Sequence, residues 1–518
     1  MGVGQRFKPG CFRGAQVAVV GMGKSNQALT RYLVKEGAEV TCFDRKTAGE
    51  IGPAYAELSA LGVKWSLGSG YLSALPSFRW VFLTPGMKKN LPEIAAARER
   101  GAVITGEIGL LLDRLRCPVV AVTGSAGKTT TCTLAGLMLR ESFPEREVHV
   151  GGNIGSVLIE HVQDIPEDAV VVLELSSFQL ELLTRSPRVS AVLNLKPNHL
   201  DVHESYEDYV EAKKNIFRFQ GASDWCFLNL DDDVTSGFAT ECPGGLGFFT
   251  FDPGKIVAGA GGEPGGRPAA WADGGDLYVA PGPLADLPSA ACWKKGGRYR
   301  RVARRGDLLV PGDHNVLNAL AAALLAVSVG ATPEGIGRAI ETFRGVEHRI
   351  EFVRELKGVK YYNDSIATAP DRTEALLDAI QGPLVLILGG YDKGLTFNTL
   401  ARKIVKRGCG VVTMGATAPL IEEALARAKR DLYGDAAELA LPVMDPLESV
   451  TQRSERGAPG LRTARASSLD EAVTIATAMA RSLPGSSVAL SPACASYDMF
   501  QNYEERGRLF KEAVGRLS

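Results

Sequence analysis

Residues 118–140 read PVVAVTGSAGKTTTCTLAGLMLR, and this stretch decides the fold around it. A run of mostly β-branched residues leads into Gly124-Ser-Ala-Gly127-Lys128, and the sequence then continues with helix-forming residues. Glycines at such a turn let backbone N–H groups face a phosphate, and the N-terminus of the following helix adds a positive dipole. The stretch therefore predicts a strand, a phosphate-binding loop and a helix within a parallel α/β sheet.

The side chains at the end of this loop suit a nucleoside triphosphate. Lys128 can reach the β- and γ-phosphates, and the hydroxyl of Thr129 can hold Mg²⁺. The loop is shorter than GxxxxGK[ST], since Val122 stands where that pattern has its first glycine. A glycine turn with a solvated lysine is the alternative interpretation. Kinases, ATPases and ligases all use such loops, so the motif alone names no reaction.

The same alternation of apolar strand and helix recurs along the chain. Further predicted strands are QVAVVG (16–21), EVTCFD (39–44), DAVVVLEL (168–175), PLVLILGG (383–390) and SSVALS (486–491). Continuous apolar runs of this kind are typical of parallel strands covered on both faces. We predict an α/β chain of three domains: a Rossmann-like domain (1–106), a central P-loop ATPase-type parallel sheet (107–344) and a second Rossmann-like domain (345–518). Residues 242–306 and 429–466 break the pattern and are expected to be surface insertions or mobile loops.

Composition excludes several classes of protein. The 518 residues are 45% hydrophobic with a formal net charge of -1, so we expect a globular protein with no nucleic-acid or membrane partner. No apolar run approaches the ~20 residues that span a bilayer, and the N-terminus lacks the apolar region of a secretory signal. The nine cysteines are scattered without a CxxC pair, which argues against disulfides or zinc and favours buried thiols in the cytoplasm. We expect a monomer.

Three further residues are candidate metal ligands. Glu174 ends an apolar strand after the phosphate loop, where a Mg²⁺-binding carboxylate belongs, although it could instead face water. His199 follows another strand, and a loop histidine is by itself more often structural. Lys213 falls on the apolar stripe of its helix, while Lys214 points further round. A desolvated lysine can lose its proton and add CO₂ to form a carbamate, but helix phase alone favours a lysine that extends to the surface.

The first strand is followed by an incomplete dinucleotide motif. Gly21-Met-Gly23 lacks the third glycine of GxGxxG, and Asp44 stands near the position of a ribose-binding acid. By itself this pattern favours a dinucleotide enzyme only weakly, because the rest of the chain offers no dehydrogenase chemistry.

Several separated motifs match one family in the expected order. They are TGSAGKTT, GGNIGS, LELSSFQLE, NHLD, YVEAKKNIF, PGDHNVLNAL, EHRIE, NDSIAT, LGGYDKG and SPACASYDMFQNYEERG. The chain resembles the Mur ligases, most closely those members that add D-glutamate to UDP-N-acetylmuramoyl-L-alanine. The matches extend from about residue 17 to residue 515 and leave out the two insertions.

The resemblance implies ATP-dependent amide bond formation through an acyl phosphate, in the synthesis of peptidoglycan precursors. It implies that Lys128 stabilises the transferred phosphoryl group and that Thr129 and Glu174 hold a first Mg²⁺. A second Mg²⁺ would be held by His199 and by Lys213 carrying CO₂ as a carbamate, which reverses the preference from helix phase.

The resemblance also implies binding residues in each domain. The phosphates and the nucleoside of ATP would contact Gly124, Ser125, Gly127, Lys128, Thr129, Thr130, Asn315, Asn318, Arg349 and Asp364. The UDP-muramoyl substrate would contact Ser25, Asp44, Arg45, Lys46, Thr84, Gly86, Asn153, Ser176 and Gln179. The incoming glutamate would contact Thr368, Lys393, Ser496 and Tyr503.

Four positions depart from the family pattern. Ala126 replaces a usual Asn, Ile366 a common Lys, Tyr503 a common Phe, and Asn198 an acid. With Ile366 in place of Lys a positive charge is absent, and the choice between D- and L-glutamate as the substrate stays open. The alternatives are a sibling ligase that adds another amino acid, such as folylpolyglutamate synthase or another Mur enzyme, and a non-catalytic sensor of nucleotide sugars.

Overall fold

The computed structural model describes residues 7–197, 203, 205–260, 266–286, 293, 298–434 and 461–518. The chain divides into two compact units: the first comprises residues 1–307 and 314–341, and the second comprises residues 308–313 and 342–518. Three separate β-sheets lie in these units, two in the first and one in the second. The sheets are largely parallel with helices between the strands, which confirms the predicted α/β class. The two boundaries between the three predicted domains remain predictions.

The first sheet has five parallel strands in the order β3-β2-β1-β4-β5. Its strands are β1 (Gln16–Val20), β2 (Glu39–Asp44), β3 (Lys64–Leu67), β4 (Trp80–Leu83) and β5 (Val103–Thr105). Its helices are α1 (Lys24–Lys35), α2 (Ala48–Ile51), α3 (Pro53–Ala60), α4 (Pro92–Glu99) and α5 (Glu107–Arg114). The strand order reverses between β1 and β4, and such a switch point opens a ligand crevice at the carboxyl ends of the strands.

The second sheet has nine strands in the order β14-β13-β12-β11-β10-β9-β6-β8-β7. Its strands are β6 (Val119–Thr123), β7 (Val148–Gly152), β8 (Val170–Glu174), β9 (Val189–Val192), β10 (Trp225–Asn229), β11 (Gly245–Thr250), β12 (Ala269–Asp273), β13 (Asp276–Ala280) and β14 (Arg300–Arg304). Its helices are α6 (Lys128–Ser142), α7 (Ser177–Leu180), α8 (Tyr206–Lys214), α9 (Asp233–Gly237), α10 (Pro253–Ala260), α11 (Asp313–Ser328) and α12 (Pro333–Thr342). Because β6 lies between β8 and β9, the loops after these three strands meet at one edge.

Of the two predictions for 242–306, a surface insertion or a mobile loop, the mobile loop is wrong for the described part. That part contains β11 to β14, which extend the second sheet, and β12, β13 and β14 pair antiparallel. Gly274 and Gly275, with φ of +56° and +88°, form the two-residue turn between β12 and β13. A hairpin with such a turn needs positive φ at both positions, so glycines here mark a turn between strands.

The third sheet has six strands in the order β15-β16-β20-β17-β18-β19, and only the pairing of β15 with β16 is antiparallel among its described strands. Its strands are β15 (Glu351–Leu356), β16 (Val359–Asn363), β17 (Leu384–Leu388), β18 (Gly410–Thr413), β19 (Thr463–Arg465) and β20 (Ser487–Leu490). Its helices are α13 (Pro370–Ala379), α14 (Asn398–Arg407), α15 (Ala418–Tyr433), α16 (Leu469–Arg481) and α17 (Tyr503–Arg516). β16, β20 and β17 are neighbours, so their carboxyl ends lie side by side.

The predicted loop at 429–466 is also wrong at both ends. Residues 429–433 complete α15, and residues 463–465 form β19, which pairs with β18. Lys429 and Ala428 are buried, and Ala428 belongs to an apolar cluster of the second unit, which the polar sequence does not reveal. Residues 435–460 lie outside the described part of the chain.

The core explains why the strands are so apolar. Every residue of β8 and of β17 is buried, as predicted for parallel strands covered on both faces. One apolar cluster in the first unit includes residues from both of its sheets, such as Val19 and Val171. Of the eight cysteines described, six are buried and all are free thiols, while Cys11 and Cys242 are half-buried. Among the described helices, none combines the length and the apolar character needed to cross a membrane.

Candidate active site

The phosphate-binding loop connects β6 to α6, as predicted. Gly124 and Gly127 have φ of +156° and +86°, in the region that favours glycine. A Cβ on Gly127 would overlap the side-chain amide of Asn318 on α11. The Lys128 ammonium group donates to the carbonyls of Gly124 (2.9 Å) and Ser125 (3.2 Å). The lysine therefore lies across its own loop, at the N-terminus of α6.

Asn194, which sequence reasoning missed, fixes the middle of this loop. Its side-chain oxygen accepts from the Ala126 N–H (3.0 Å), and its amide group donates to the Ala126 carbonyl (3.1 Å). Its backbone carbonyl also accepts from the Ser125 N–H at 2.8 Å. The sequence feature that could have indicated Asn194 is its position two residues after β9, the strand beside β6. The backbone at Ala126 is thus held by a neighbouring side-chain amide.

Glu174 lies at the end of β8, next to the loop. One carboxylate oxygen accepts from the Thr129 hydroxyl at 2.7 Å, and the other accepts from the Asn153 amide at 2.9 Å. The side chain is buried, so the alternative that it faces water is wrong. The structure thus places three predicted residues from α6, β8 and the loop after β7 in one hydrogen-bonded group.

Lys213 lies on α8 and points into the same region. Its ammonium group donates to the Thr123 hydroxyl and to the Gly124 carbonyl, both at 3.0 Å, and lies 4.9 Å from the centre of the Tyr209 ring. It is only 2% exposed, so the surface position that helix phase alone favours is wrong. α8 packs against α7, and Lys213 lies on its buried face together with Tyr209 and Ala212.

Burial lowers the pKa of Lys213 well below its ordinary value, and the positive charge of Lys128 lowers it further, while Glu174 opposes the shift. Compared with a lysine in water, the shift in pKa makes the uncharged form of the amine easier to reach. The adjacent Lys214 instead forms ion pairs with Glu211 and Glu241, each at 2.8 Å.

His203 and Tyr209 form an aromatic link that the sequence did not indicate. The His203 ring stacks on Phe178 with 4.9 Å between ring centres and meets Tyr209 edge-on at 5.4 Å. The Tyr209 hydroxyl shares a hydrogen bond of 2.8 Å with Ser125. This link connects α7 with α8 and with the phosphate loop. The predicted ligand His199, like Asn198, lies outside the described residues.

Ser176 and Gln179 pair with each other at the start of α7. The Gln179 N–H donates to the Ser176 hydroxyl (3.3 Å), and the Ser176 N–H donates to the Gln179 side-chain oxygen (3.0 Å). This is a capping box, and it sets where α7 begins, directly after β8. Both residues thereby stay close to Glu174 along the chain.

The predicted UDP-binding residues lie at the carboxyl edge of the first sheet. Asp44 accepts from the Met22 N–H (2.7 Å) and from the Lys46 N–H (2.9 Å), which ties the loops after β1 and β2 together. A Cβ on Gly21 would overlap the side chain of Thr84, so the loop after β4 lies against the loop after β1. The remaining predicted residues occupy the same edge: Ser25 on the first turn of α1, Arg45 after β2 and Gly86 after β4.

The second unit carries the predicted acceptor residues and part of the predicted nucleotide set. Asp364 follows β16 and accepts from the Ser491 hydroxyl (2.7 Å) and the Ile350 N–H (3.2 Å). Burial raises the pKa of Asp364 to about 7. The acceptor candidates follow β16, β17 and β20 or begin α17, and they are Thr368, Lys393, Ser496 and Tyr503. Arg349 precedes β15 in this unit, whereas Asn315 and Asn318 lie on α11 in the first.

Comparison with known proteins decides the family. Residues 122–245 match the Mur ligase middle domain, and residues 15–106 match the Mur ligase MurD-like, N-terminal domain. A UDP-N-acetylmuramoylalanine–D-glutamate ligase from Symbiobacterium thermophilum is 46% identical over 97% of this chain and 98% of its own. The chain belongs to the Mur ligase family. A protein of the same name from Acetivibrio thermocellus is 40% identical over 97% of this chain and 96% of its own.

Solved structures agree on the Mur ligase fold. A UDP-N-acetylmuramoyl-L-alanyl-D-glutamate–2,6-diaminopimelate ligase aligns with a TM-score of 0.52 and 15% identity over 98% of this chain and 93% of its own. MurF from Acinetobacter baumannii aligns with a TM-score of 0.50 and 16% identity over 93% of this chain and 91% of its own. The predicted family, ligase class and multidomain α/β architecture are confirmed.

The described residues contain no conventional metal cluster. Within the described ranges, no group of three or more His, Cys, Asp or Glu residues could hold a metal. Thr129 and Glu174 nevertheless present two oxygens 2.7 Å apart beside the phosphate loop, and oxygen is the ligand that Mg²⁺ prefers.

Proposed function

We propose that this Mur ligase joins D-glutamate to UDP-N-acetylmuramoyl-L-alanine at the expense of ATP, in the cytoplasm, for peptidoglycan precursor synthesis. The full-length identity of 46% to a ligase named for these two substrates carries the proposal. The grouping of Thr129, Asn153 and Glu174 beside the phosphate loop supports the chemistry.

ATP is needed because a carboxylate is a poor electrophile at neutral pH. The γ-phosphoryl group passes to the carboxylate of the alanyl residue and forms an acyl phosphate with release of ADP. The amine of glutamate then attacks the acyl carbon, and the tetrahedral intermediate loses phosphate to leave an amide. Lys128, at the N-terminus of α6, stabilises negative charge on the phosphates during transfer.

Two Mg²⁺ ions would neutralise the charge of ATP against the anionic acceptor. Thr129 and Glu174 fit the first ion, since a hydroxyl and a carboxylate oxygen already lie at hydrogen-bonding distance. His199 and Lys213 are the proposed ligands of the second. Asn153 orients the Glu174 carboxylate from its other oxygen.

Lys213 suits a ligand role only as a carbamate. Its uncharged nitrogen attacks CO₂, the N–C bond forms as one C=O π bond of CO₂ breaks, and water takes up a proton from the nitrogen, which gives the carbamate anion. This requires an uncharged amine, which the burial of Lys213 and the nearby charge of Lys128 favour by lowering its pKa. The amine donates hydrogen bonds to the Thr123 hydroxyl and the Gly124 carbonyl, and the single N–H that a carbamate keeps could still donate to one of these two oxygens.

The remaining proposed binding residues are distributed among the domains. The residues around Asp44 and Thr84 would bind the uridine diphosphate part, and Asn153, Ser176 and Gln179 would contact the muramoyl-alanine end. Asn315 and Asn318 in the first unit, and Arg349 and Asp364 in the second, are the proposed contacts of the adenine, ribose and phosphates of ATP. Lys393 would pair with a carboxylate of glutamate.

A test measures ADP and phosphate release by the purified protein with ATP, Mg²⁺ and UDP-N-acetylmuramoyl-L-alanine. D-glutamate, L-glutamate, L-lysine and a folate acceptor with L-glutamate are compared, and the product is identified by mass spectrometry. We expect release with D-glutamate and a product larger by one glutamyl residue. Release driven by lysine or folate but not by D-glutamate would reject the proposal, and ADP formation excludes a non-catalytic sensor.

A further inference from the structure

Arg506 is a fully buried cation on α17 in the second unit. Its four hydrogen bonds to described residues all go to uncharged oxygens. Burial lowers the pKa of its guanidinium group to about 10. A buried charge carries a desolvation cost, so its hydrogen bonds must offset that cost within the fold.

These hydrogen bonds join the loops after β16 and β20. One terminal nitrogen donates to the carbonyls of Ser365 (2.9 Å) and Cys494 (3.1 Å), and the other donates to the Ala495 carbonyl (3.2 Å). Nε donates to the Ser365 hydroxyl at 3.1 Å, and this hydroxyl donates in turn to the carbonyl of Tyr503 at 2.7 Å.

The loop after β17 meets the same group. The Ala495 carbonyl that accepts from Arg506 also accepts from the Tyr391 N–H at 2.9 Å. Gly390 has φ of +149°, and a Cβ there would overlap this carbonyl and lie 3.2 Å from Arg506. Three loops and the first turn of α17 therefore converge on a single guanidinium group.

Each of these segments carries one predicted acceptor residue. Thr368 is three residues after Ser365, Lys393 is two after Tyr391, and Ser496 is next to Ala495. Tyr503 is three residues before Arg506 on α17, with its carbonyl held through Ser365.

We propose that Arg506 is a positioning residue that fixes these three loops and Tyr503 in the arrangement that receives the incoming amino acid. The inference rests on the proposed function. Arginine suits the task because its planar group directs five N–H donors in a rigid fork, whereas lysine offers a compact charge. Arg506 touches backbone and Ser365, so it acts through the loops and not on the substrate.

The test compares Arg506→Lys and Ser365→Ala with wild type, with Arg508→Lys as the matched control. Arg508 lies on the same helix but is exposed and pairs with Glu512 at 2.6 Å. For Arg506→Lys we expect the KM for D-glutamate to rise about 10-fold or more, since hydrogen bonds to a charged group are lost. The KM values for ATP and for the UDP-linked substrate should stay within about twofold of the wild-type values. A uniform loosening of the fold would instead raise all three KM values together.

Ser365→Ala removes one acceptor of Arg506 and the donor to Tyr503, and we expect a smaller rise in the same KM. If thermal unfolding shows that Arg506→Lys does not fold, Ser365→Ala decides the question. An unchanged KM for D-glutamate in folded variants, or an equal rise in all three KM values, would overturn the role of Arg506. A wild-type protein with no D-glutamate-dependent phosphate release would instead reject the proposed function, and the acceptor role with it.

Discussion

The hydroxyl of Thr129 and the carboxylate of Glu174 are joined by a hydrogen bond of 2.7 Å, although 45 residues separate them in the chain. Thr129 is on the first turn of α6, and Glu174 ends the neighbouring strand β8. Since β6 and β8 are parallel neighbours, the start of α6 and the end of β8 lie at the same sheet edge. Under the proposed function, this contact lies where Mg²⁺ would neutralise the charge of the ATP phosphates.

Replacing Glu174 by Gln should lower ligase turnover by about 100-fold, because it removes the negative charge beside the phosphate loop. Glutamine can still accept from the Thr129 hydroxyl, so thermal stability should be retained. Steady-state phosphate release and calorimetric unfolding check these outcomes. Glu147→Gln is a suitable control, since Glu147 pairs with His149 on the exposed side of β7. Activity near the wild-type level in Glu174→Gln would contradict the metal role.

Replacing Lys213 by Ala should also lower turnover by about 100-fold, because the carbamate proposed to hold the second Mg²⁺ could no longer form. A short carboxylic acid such as acetate or propionate in the buffer should restore part of the activity by supplying a carboxylate to the cavity. Lys214→Ala is the matched control, since Lys214 pairs with Glu211 and Glu241 instead of the phosphate loop, and its loss should change activity little. Full activity of Lys213→Ala without additive would refute the carbamate.

Replacing Gly127 by Ala should weaken ATP binding, because the added methyl group would overlap the amide of Asn318 and sit at a φ of +86°. We expect the KM for ATP to rise about 10-fold, given a strain of roughly 1–3 kcal/mol at such a position. Gly23→Ala is the control, as its Cβ would meet no atom within 4 Å. Equal KM values in the two variants would show that the close approach to Asn318 has no effect on the loop.

The pH dependence of stability should depend on Glu107, at the first turn of α5. Burial alone raises the pKa of this carboxyl to about 8. The folded protein therefore keeps the proton between about pH 4.5 and pH 8, where the unfolded chain releases it. Raising the pH through this range should lower the free energy of unfolding, by at most about 5 kcal/mol from this group.

Glu107→Gln should remove this loss, so the variant should gain stability relative to wild type as the pH rises from 5 to 8. Denaturant unfolding at a series of pH values measures the difference. Parallel pH profiles for the two proteins would show that Glu107 does not hold its proton in the folded state.

Most residues at the carboxyl edge of the central sheet could be predicted from the sequence, because local sequence patterns mark them. Apolar runs mark the buried strands, and Gly124, Gly127, Lys128 and Glu174 occupy fixed places at the ends of β6 and β8. The order of the motifs was enough to predict the family, which the full-length relatives confirm. Glycine-rich composition misled at 242–306, where Gly274 and Gly275 form a hairpin turn inside an extended sheet.

By itself the sequence determined the alternation of strands and helices, since burial on both faces demands continuous apolar runs and tight turns demand glycine. Only the tertiary structure decided which polar groups meet. Asn194 clamps the phosphate loop, Lys213 turns inward, and Arg506 joins three loops, because strands far apart in the chain lie side by side in the sheets. Such contacts depend on strand order and helix packing, which no local pattern of residues contains.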